Sequence, residues 1–530
     1  MNYADLFRIT LPETTLEVAA LVVLIVDLGF LRRVALKARV TIAALLGVAG
    51  CGAAVWAVLT VGPNAFKCDG EFLLLSGQYT PAMQIGILVL TALTLLLFID
   101  MDFTQHVSEF VAVVLMSASG GLLIVVARDL LIIFVGLELL SLGLYILTAF
   151  AKRSAQSAEA AIKYYLFGGM SAAFLLFGFS YVYGITGSTN LSEIQTSLAD
   201  LGPSPLLYIA WILIITGLGF KVAAVPFHLW APDTYEGAPA PAAAFIASVS
   251  KIASFGLLLT FSSYWLVPFA IITKMAADVP LIVVSTTEPL YHAEGAFPQL
   301  GFILLVVAAG SIIVGNLTAL AQISVRRLLA YSAIAHAGYI LLGTSIQPNF
   351  LGSGSIAAFT DAVFRPAHIS ANAVVYYVLT YGLTTIGAFG VVSVVERATG
   401  SDRLDSFLGL HKRNPLLAAV LGVLFLSLAG IPPLVGFWAK FNLFAAVLGV
   451  SAGPVPFALV ALAVAMSAVS LYYYLQVLKR AYVMPAIDET PIKAHPVTLA
   501  VLVAIAAAVV VLGCFPALLQ GWIESFYPIL

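Results

Sequence analysis

An all-α polytopic membrane protein of about fourteen transmembrane helices is the fold class predicted here, and three observations carry that expectation. The chain is 62% hydrophobic and only 9% charged, with a mean hydropathy of +1.06, a balance foreign to soluble globular domains. Apolar runs of roughly 20 residues recur from end to end, each long enough to cross a hydrocarbon core of about 30 Å. The runs are apolar all round, whereas the strands of a transmembrane β-barrel alternate polar and apolar residues.

Taken in order, the first three spans lie near 12–31, 40–61 and 81–99, within an N-terminal segment 1–109. Five more follow near 110–126, 130–151, 162–186, 206–230 and 242–262, a first group over 110–262. A long outer segment, 263–299, carries Lys274, Asp278, Glu288 and Glu294. Five further spans lie near 300–322, 327–346, 371–395, 415–448 and 455–478, a second group over 300–480. One last span near 496–517 falls in 481–530. The loops after odd-numbered spans hold 15 Lys and Arg, against 5 on the other side. The positive-inside rule then places the odd loops in the cytoplasm and both termini outside.

The two five-span groups predict an internal repeat. DLLIIFVGLELLSLGLYIL at 129–147 resembles RRLLAYSAIAHAGYILLG at 326–343, through the shared LL and the GLYIL and GYILL ends. Later in each group a long apolar segment is broken. The first, GLGFKVAAVPFHLWAPDTY, holds Pro226; the second, LSLAGIPPLVGFWAKFNLF, holds Gly430, Pro432 and Pro433. Proline removes an amide donor and clashes with the preceding turn. In lipid such a break survives only where protein or a water-filled cavity faces it, and paired breaks in two halves point to a transport site. Five is odd, so the second repeat is inverted relative to the first.

Several function classes are disfavoured. Cys51, Cys68 and Cys514 show no CxxC spacing and the seven histidines do not cluster, so neither zinc, haem nor iron–sulfur ligation is expected. No Gly-rich phosphate loop follows a strand, and no basic stripe suggests nucleic acid. The N-terminus, MNYADLFRIT, mixes acid and base and shows no small-residue cleavage site, so it is read as retained.

What remains is a set of ionisable residues in apolar surroundings. Lys163, Lys221, Lys251 and Lys440 sit inside hydrophobic stretches, while the other 20 of the 24 Lys and Arg fall in loops or at helix ends. A lysine at the bilayer centre costs about 3 kcal/mol on insertion scales. Glu138, in LIIFVGLELLSLGLYIL, is the acid among them. Lys221 lies shortly before the Pro226 break, Lys440 shortly after the second break, and Lys251 among small residues in AAAFIASVSKIASFG. Lys163 is near the basic pair Lys152 and Arg153, so it has the option of snorkelling, and Glu159 one turn earlier is in pairing position. His228 and His336 are also intramembrane, and neutral imidazole passes a proton between its two nitrogens. Ser250, Ser332, Tyr339 and Tyr381 are candidates for ordering water between these groups. A file of buried lysines with a buried glutamate is what a proton path needs.

These residues carry a resemblance. GLGFKVAAVPFHLWAPDTYEGAPAPAAAFIASVSKIASFG at 217–256 resembles the proton-pumping membrane subunits of respiratory complex I, which share a fold with Mrp-type cation/proton antiporter subunits. GNLTALAQISVRRLLAYSAIAHAGYILLG at 315–343, LSLAGIPPLVGFWAKFNLF at 426–444 and AAIKYYLFG at 160–168 are similar to the subunit N branch of bacterial NADH-quinone oxidoreductase, subunit 2 in mitochondria. The likeness covers about 110 to 480. It implies that Glu138 is the helix-5 glutamate, Lys221 its helix-7 lysine partner, Lys251 the central lysine and Lys440 the terminal lysine of helix 12. In the larger antiporter-like subunits a lateral helix follows, or a glutamate replaces that last lysine; Lys at 440 and the absence of such an extension favour the subunit N branch. The 263–299 segment departs from the pattern without touching the motif.

The resemblance further implies a bacterial plasma-membrane subunit of an NADH:quinone oxidoreductase, packed in lipid against other antiporter-like and small membrane subunits. NADH, FMN, iron–sulfur clusters and quinone would belong to other subunits, with none bound in this chain. Separation of the Glu138–Lys221 pair by a signal from a neighbour would then push a proton through Lys251 to Lys440. An ion pair at ~4 Å and an effective dielectric of ~20 is worth about 4 kcal/mol, and moving one charge against ~100 mV about 2.3 kcal/mol, so the coupling is of suitable size. The alternatives are an Mrp-type antiporter subunit, which uses the same residues without quinone, and a scaffold whose lysines only pair and pack. Four buried lysines against one deep acid disfavour the scaffold.

Overall fold

The computed structural model describes residues 3–62, 64–68, 71–76, 79–201, 204–265, 298–345, 356–450, 453–486 and 488–526. The N-terminal part contains α1 (Tyr3–Ile9), α2 (Leu11–Ile25), α3 (Leu36–Val61), a ribbon of β1 (Asn64–Cys68) and β2 (Glu71–Ser76), and α4 (Thr80–Phe98). The first five-span group contains α5 (Val107–Val126), α6 (Leu130–Thr148), α7 (Ala155–Thr186), α8 (Leu191–Leu201), α9 (Pro205–Val222), α10 (Trp230–Gly237) and α11 (Ala240–Trp265). The second contains α12 (Pro298–Ala319), α13 (Val325–Ser345), α14 (Ile356–Thr399), α15 (Leu410–Arg413), α16 (Pro415–Ala429), α17 (Val435–Val450) and α18 (Pro454–Tyr482). The chain continues through α19 (Pro496–Cys514) and α20 (Pro516–Glu524).

Twelve of these helices are long and apolar enough to cross a membrane by themselves. The expected first span is α2 running on into a π-helical turn, Val26–Phe30. The span read near 415–448 is two shorter helices, α16 and α17, meeting at the second break. Each of the fourteen expected spans therefore has its helix or broken pair. The outer segment 263–299 lies mostly outside the described residues.

Helix starts follow local chemistry. Asp129 accepts hydrogen bonds from the Leu131 and Ile132 amides at the start of α6, and Ser154, Ser204 and Asn414 cap α7, α9 and α16 in the same way. An N-cap oxygen satisfies amides that have no partner within the helix. Proline occupies the first turn of α9, α16, α18 and α19, where its missing N–H leaves no hydrogen bond unmade. The Ser154 cap starts α7 at Ala155, ahead of the expected 162. The β1–β2 ribbon is a departure from the sequence reading, which placed no strand between the second and third spans. Its antiparallel pairing joins Asn64 to Ser76 and Cys68 to Glu71. Both partners lie between helix ends, so they satisfy each other's backbone groups locally.

The two five-span groups repeat in detail. α5 packs on α6 as α12 packs on α13. Gly120 of α5 lies against the backbone of Leu140 and Gly136, and Gly315 of α12 against that of Ala335 and Tyr331. A Cβ at either glycine would stand within 3 Å of that backbone, which is why small residues mark close helix contacts in membranes. Likewise Gly143 faces Val113 and Ser117, and Gly338 faces Ala308 and Ile312. Ahead of α6, Leu130 N donates to Thr189 O and Leu191 N to Arg128 O; ahead of α13, Val325 N donates to Asp402 O and Leu404 N to Ile323 O. These pairs match Leu130 with Val325 and Gly143 with Gly338. The GLYIL and GYILL ends thus align in space, whereas the shared LL pairs are out of register. Each half crosses the membrane five times, so the second half is inverted.

The core lies where the halves meet. The apolar window of α11 is 100% buried within the chain, against 17% for α18. Small residues of α11, among them Ala243, Ala247, Ser250 and Ser254, let it sit between α4, α5 and α14.

Candidate functional site

The site begins at the two broken helices. α9 stops because Ala223 adopts a left-handed conformation, φ 59°, with Ala223 N bonded to Phe220 O and Ala224 N to Gly219 O. α16 stops in the same manner at Gly430, φ 89°, with Gly430 N bonded to Ser427 O and Ile431 N to Leu426 O. This 6→1 and left-handed cap is a common helix ending. It leaves further carbonyls of the last turn without intrahelical partners. In a membrane interior such groups need a partner from the protein, and the negative end of the helix dipole favours a cation.

A buried lysine meets each end. Lys251 of α11, 2% exposed, donates to Val222 O at 3.1 Å and to Ala333 O of α13 at 2.9 Å. Lys440 of α17, 6% exposed, donates to Leu428 O at 3.1 Å, Ala429 O at 3.0 Å and Ser467 Oγ of α18 at 2.8 Å. Val222 and Ala429 are each the residue just before the left-handed cap, so the two carbonyl ends are equivalent, although Lys251 comes from the helix after the break and Lys440 from the second piece of the broken helix itself.

Lys221 lies on α9 next to Val222, and its ammonium donates to Ser141 Oγ. Ser141 in turn donates to Leu137 O on its own helix. Glu138 is half-buried one turn earlier on α6, close enough for its charge to act on both Lys221 and Tyr145. Among the described residues no ion pair within 4.0 Å joins Glu138 to Lys221. The hydroxyl of Ser141 is what Lys221 touches. Glu138, Ser141 and Lys221 form one group in place of the two-member pair expected from sequence.

His336 of α13 stands one turn beyond Ala333, and the charges of both Lys251 and Lys440 reach it. Its Nδ1 shares a hydrogen bond with the Tyr377 hydroxyl at 2.8 Å, and Nε2 contacts the Tyr474 hydroxyl at 3.4 Å. Tyr474 is hydrogen-bonded to Ser332. Tyr339 bonds Asn316 Nδ2 at 3.0 Å, and its ring lies 5.5 Å from the Lys440 ammonium. Lys221, Lys251, His336 and Lys440 thus run in that order through the centre of the chain.

Taken as a whole, 127–277 and 263–467 match the family model described as "NADH:quinone oxidoreductase/Mrp antiporter, TM". The chain is 45% identical over 536 residues, 99% of each chain, to NADH-quinone oxidoreductase subunit N 2 of Acidobacterium capsulatum. It is 39% identical to subunit N 1 of Roseiflexus castenholzii, covering 88% of this chain and 82% of that one. This chain belongs to the subunit N family of NADH-quinone oxidoreductase. Among solved structures, a chain of respiratory complex I from Thermus thermophilus with bound aureothin matches at TM-score 0.73 and 32% identity, over 96% of this chain and 98% of that one. The Mrp complex of Dietzia sp. shares the fold at TM-score 0.75 and 20% identity, over 98% and 96% of the two chains.

As a subunit N family member, the chain is the proton-translocating membrane component of an enzyme complex. It works beside other membrane subunits and is coupled to electron transfer from NADH to quinone in partner subunits. Among the described residues no group of three or more His, Cys, Asp and Glu is placed to hold a metal ion.

Two residues singled out from sequence stand apart from this file. Lys163 is 41% exposed and bonds Glu159 and Asp233, each at 2.8 Å. Asp233 also pairs with Arg327 at 2.7 Å, and Arg327 with Glu236 at 2.9 Å. This network ties α7, α10 and α13 across the two halves. His228 lies in the turn between α9 and α10, half-buried, with no hydrogen bond to any lysine of the file. Ser141, Ser467, Tyr377 and Tyr474 were missed as contacts of the file, since a hydroxyl in an apolar helix carries no signal of what it faces.

Proposed function

We propose that protons cross this subunit N chain along Glu138, Ser141, Lys221, Lys251, His336 and Lys440. The observation that supports this most is the paired arrangement of Lys251 and Lys440 on the carbonyl ends of the two broken helices. A lysine ammonium has three N–H donors and no acceptor; a neutral amine keeps two donors and gains a lone pair. Lys251 faces two carbonyls and Lys440 two carbonyls and a hydroxyl. Either protonation state therefore leaves every carbonyl bonded, and the proton comes and goes without orphaning a buried acceptor. A change in the position of Glu138, transmitted from a neighbouring subunit, alters the field at Lys221 and starts the transfer. Lys163 and His228 act at the margin, Lys163 by holding α10 to α7 and His228 at the turn below the first break.

In this reading the chain divides into 1–109, a first five-helix repeat at 110–262, an outer segment at 263–299, a second repeat at 300–480 and a final part at 481–530. The loops richer in Lys and Arg face the cytoplasm of a bacterial plasma membrane and both termini face outward. NADH, FMN, iron–sulfur clusters and quinone act in other subunits.

The test is proton pumping and NADH-to-quinone electron transfer in membranes bearing the assembled complex with Lys221→Ala or Glu138→Ala. Loss of pumping supports the path. Full pumping in both variants removes these residues from it.

A further inference from the structure

Among the described residues Lys440 has three hydrogen-bond partners, and they differ in what they do with a proton. Leu428 O and Ala429 O are amide carbonyls, which accept hydrogen bonds but are far too weakly basic to take a proton and pass it on. The third, Ser467 Oγ at 2.8 Å, is a hydroxyl, which accepts at a lone pair while donating its own O–H elsewhere. Tyr339 presents its ring rather than a hydrogen-bonding oxygen to Lys440, and its hydroxyl is engaged with Asn316. Among the described residues, Ser467 is therefore the contact of Lys440 through which a proton can move.

The position of Ser467 fits that role. It is half-buried on α18, whose apolar window is only 17% buried within the chain. Ala463, one turn earlier, is buried, whereas Val464, Ala465 and Ala468 are exposed. Ser467 thus stands where the inner and outer faces of α18 meet. Its backbone oxygen accepts from the Ser470 hydroxyl at 2.6 Å, and its Oγ accepts from Lys440.

We propose that Ser467 is the hydroxyl by which the Lys440 proton leaves toward the outer face of α18. An N–H bond of the ammonium breaks as its proton forms a new O–H bond at Ser467 Oγ. The O–H bond already present breaks, and that proton passes to a water molecule on the far side, giving hydronium. The new O–H first donates to the lone pair of the neutral amine, whose two remaining N–H groups stay on Leu428 O and Ala429 O, and then rotates to the far side, which frees that lone pair for the next proton. Reprotonation from the His336 side restores the starting state. Ser467 is a positioning and relay residue, and the inference rests on Lys440 being part of the proton path.

The experiment uses the complete complex in liposomes with Ser467→Ala, Ser467→Thr and Lys440→Ala, scored for NADH-driven acidification with a pH-sensitive dye. Complex content on native gels and NADH-to-ferricyanide activity control for assembly. Ser467→Ala is expected to fall to the level of Lys440→Ala, and Ser467→Thr, which keeps the hydroxyl, to return toward the wild-type rate. Wild-type pumping by Ser467→Ala, with Lys440→Ala impaired, overturns the role of Ser467 and leaves the path intact. Equal loss in the alanine and threonine variants also overturns it, because shape rather than the hydroxyl would then matter. Wild-type pumping by Lys440→Ala sinks the path itself.

Discussion

Replacing Lys251 separates what its hydrogen bonds do for the fold from what its proton does for transport. Lys251→Met keeps the apolar stem and leaves Val222 O, at the end of α9 and 3.1 Å from the present ammonium, with no donor, while Ala333 O, 2.9 Å away but mid-way along α13, keeps its helical partner. A buried acceptor left unpaired costs about 1–3 kcal/mol. Lys251→Gln supplies two amide N–H donors on a side chain one atom shorter, and is expected to recover part of that loss. Neither methionine nor glutamine exchanges a proton near neutral pH. The expected order of heat resistance of the assembled complex, read as band intensity on native gels after a temperature ramp, is wild type, then glutamine, then methionine. NADH-driven pumping is expected to be lost in both. Pumping by the glutamine variant at the wild-type rate would refute the assignment of Lys251 to the path. A methionine variant as heat-resistant as wild type would refute the carbonyl-capping argument.

Three further expectations concern other parts of the chain. Ser141→Ala removes the group that Lys221 touches and is expected to lower pumping by roughly 100-fold or more if proton transfer at this step is limiting, with partial recovery in Ser141→Thr; an unchanged rate in reconstituted vesicles would detach Ser141 from the path. Gly120→Ala places a Cβ 2.6 Å from Leu140 N, an overpacking worth about 1–3 kcal/mol, so less complex should assemble, whereas Gly169→Ala, which meets nothing within 4 Å, should assemble normally. Asp233→Asn weakens pairs to Lys163 and Arg327 that are about 30–40% exposed on each side; exposed pairs are worth about 0–1 kcal/mol each, so heat resistance should change little, and a complex that fails to assemble would show that the network holds the two halves together more strongly than that.

Much of this protein is legible in its amino-acid sequence, because the governing terms act along the chain. Hydrocarbon thickness sets the length of each apolar run, proline and glycine break helices through their own backbones, and an ammonium in a run of apolar residues is conspicuous wherever it ends up. Those local facts located the spans, the two breaks, and Lys221, Lys251, Lys440 and Glu138. They also paired Lys163 with Glu159, which is a matter of helical spacing.

Tertiary packing decided what each charged group meets. Val222 O and Ala333 O are far apart in sequence, yet both bond Lys251 because α9 and α13 converge on α11. Ser141 takes the place next to Lys221 that the sequence had assigned to Glu138. Asp233 draws Lys163 into a surface network, and Tyr377 and Tyr474 close around His336. The repeat register also needed the third dimension, since Gly120 and Gly315 find equivalent backbone while the LL pairs do not. The amino-acid sequence alone determined the fold class and the breaks, because hydrophobic length and backbone chemistry are properties of single segments. Only the tertiary structure decided the partners of the buried ionisable groups, because a buried hydrogen bond depends on which distant backbones and hydroxyls the packing brings within about 3 Å.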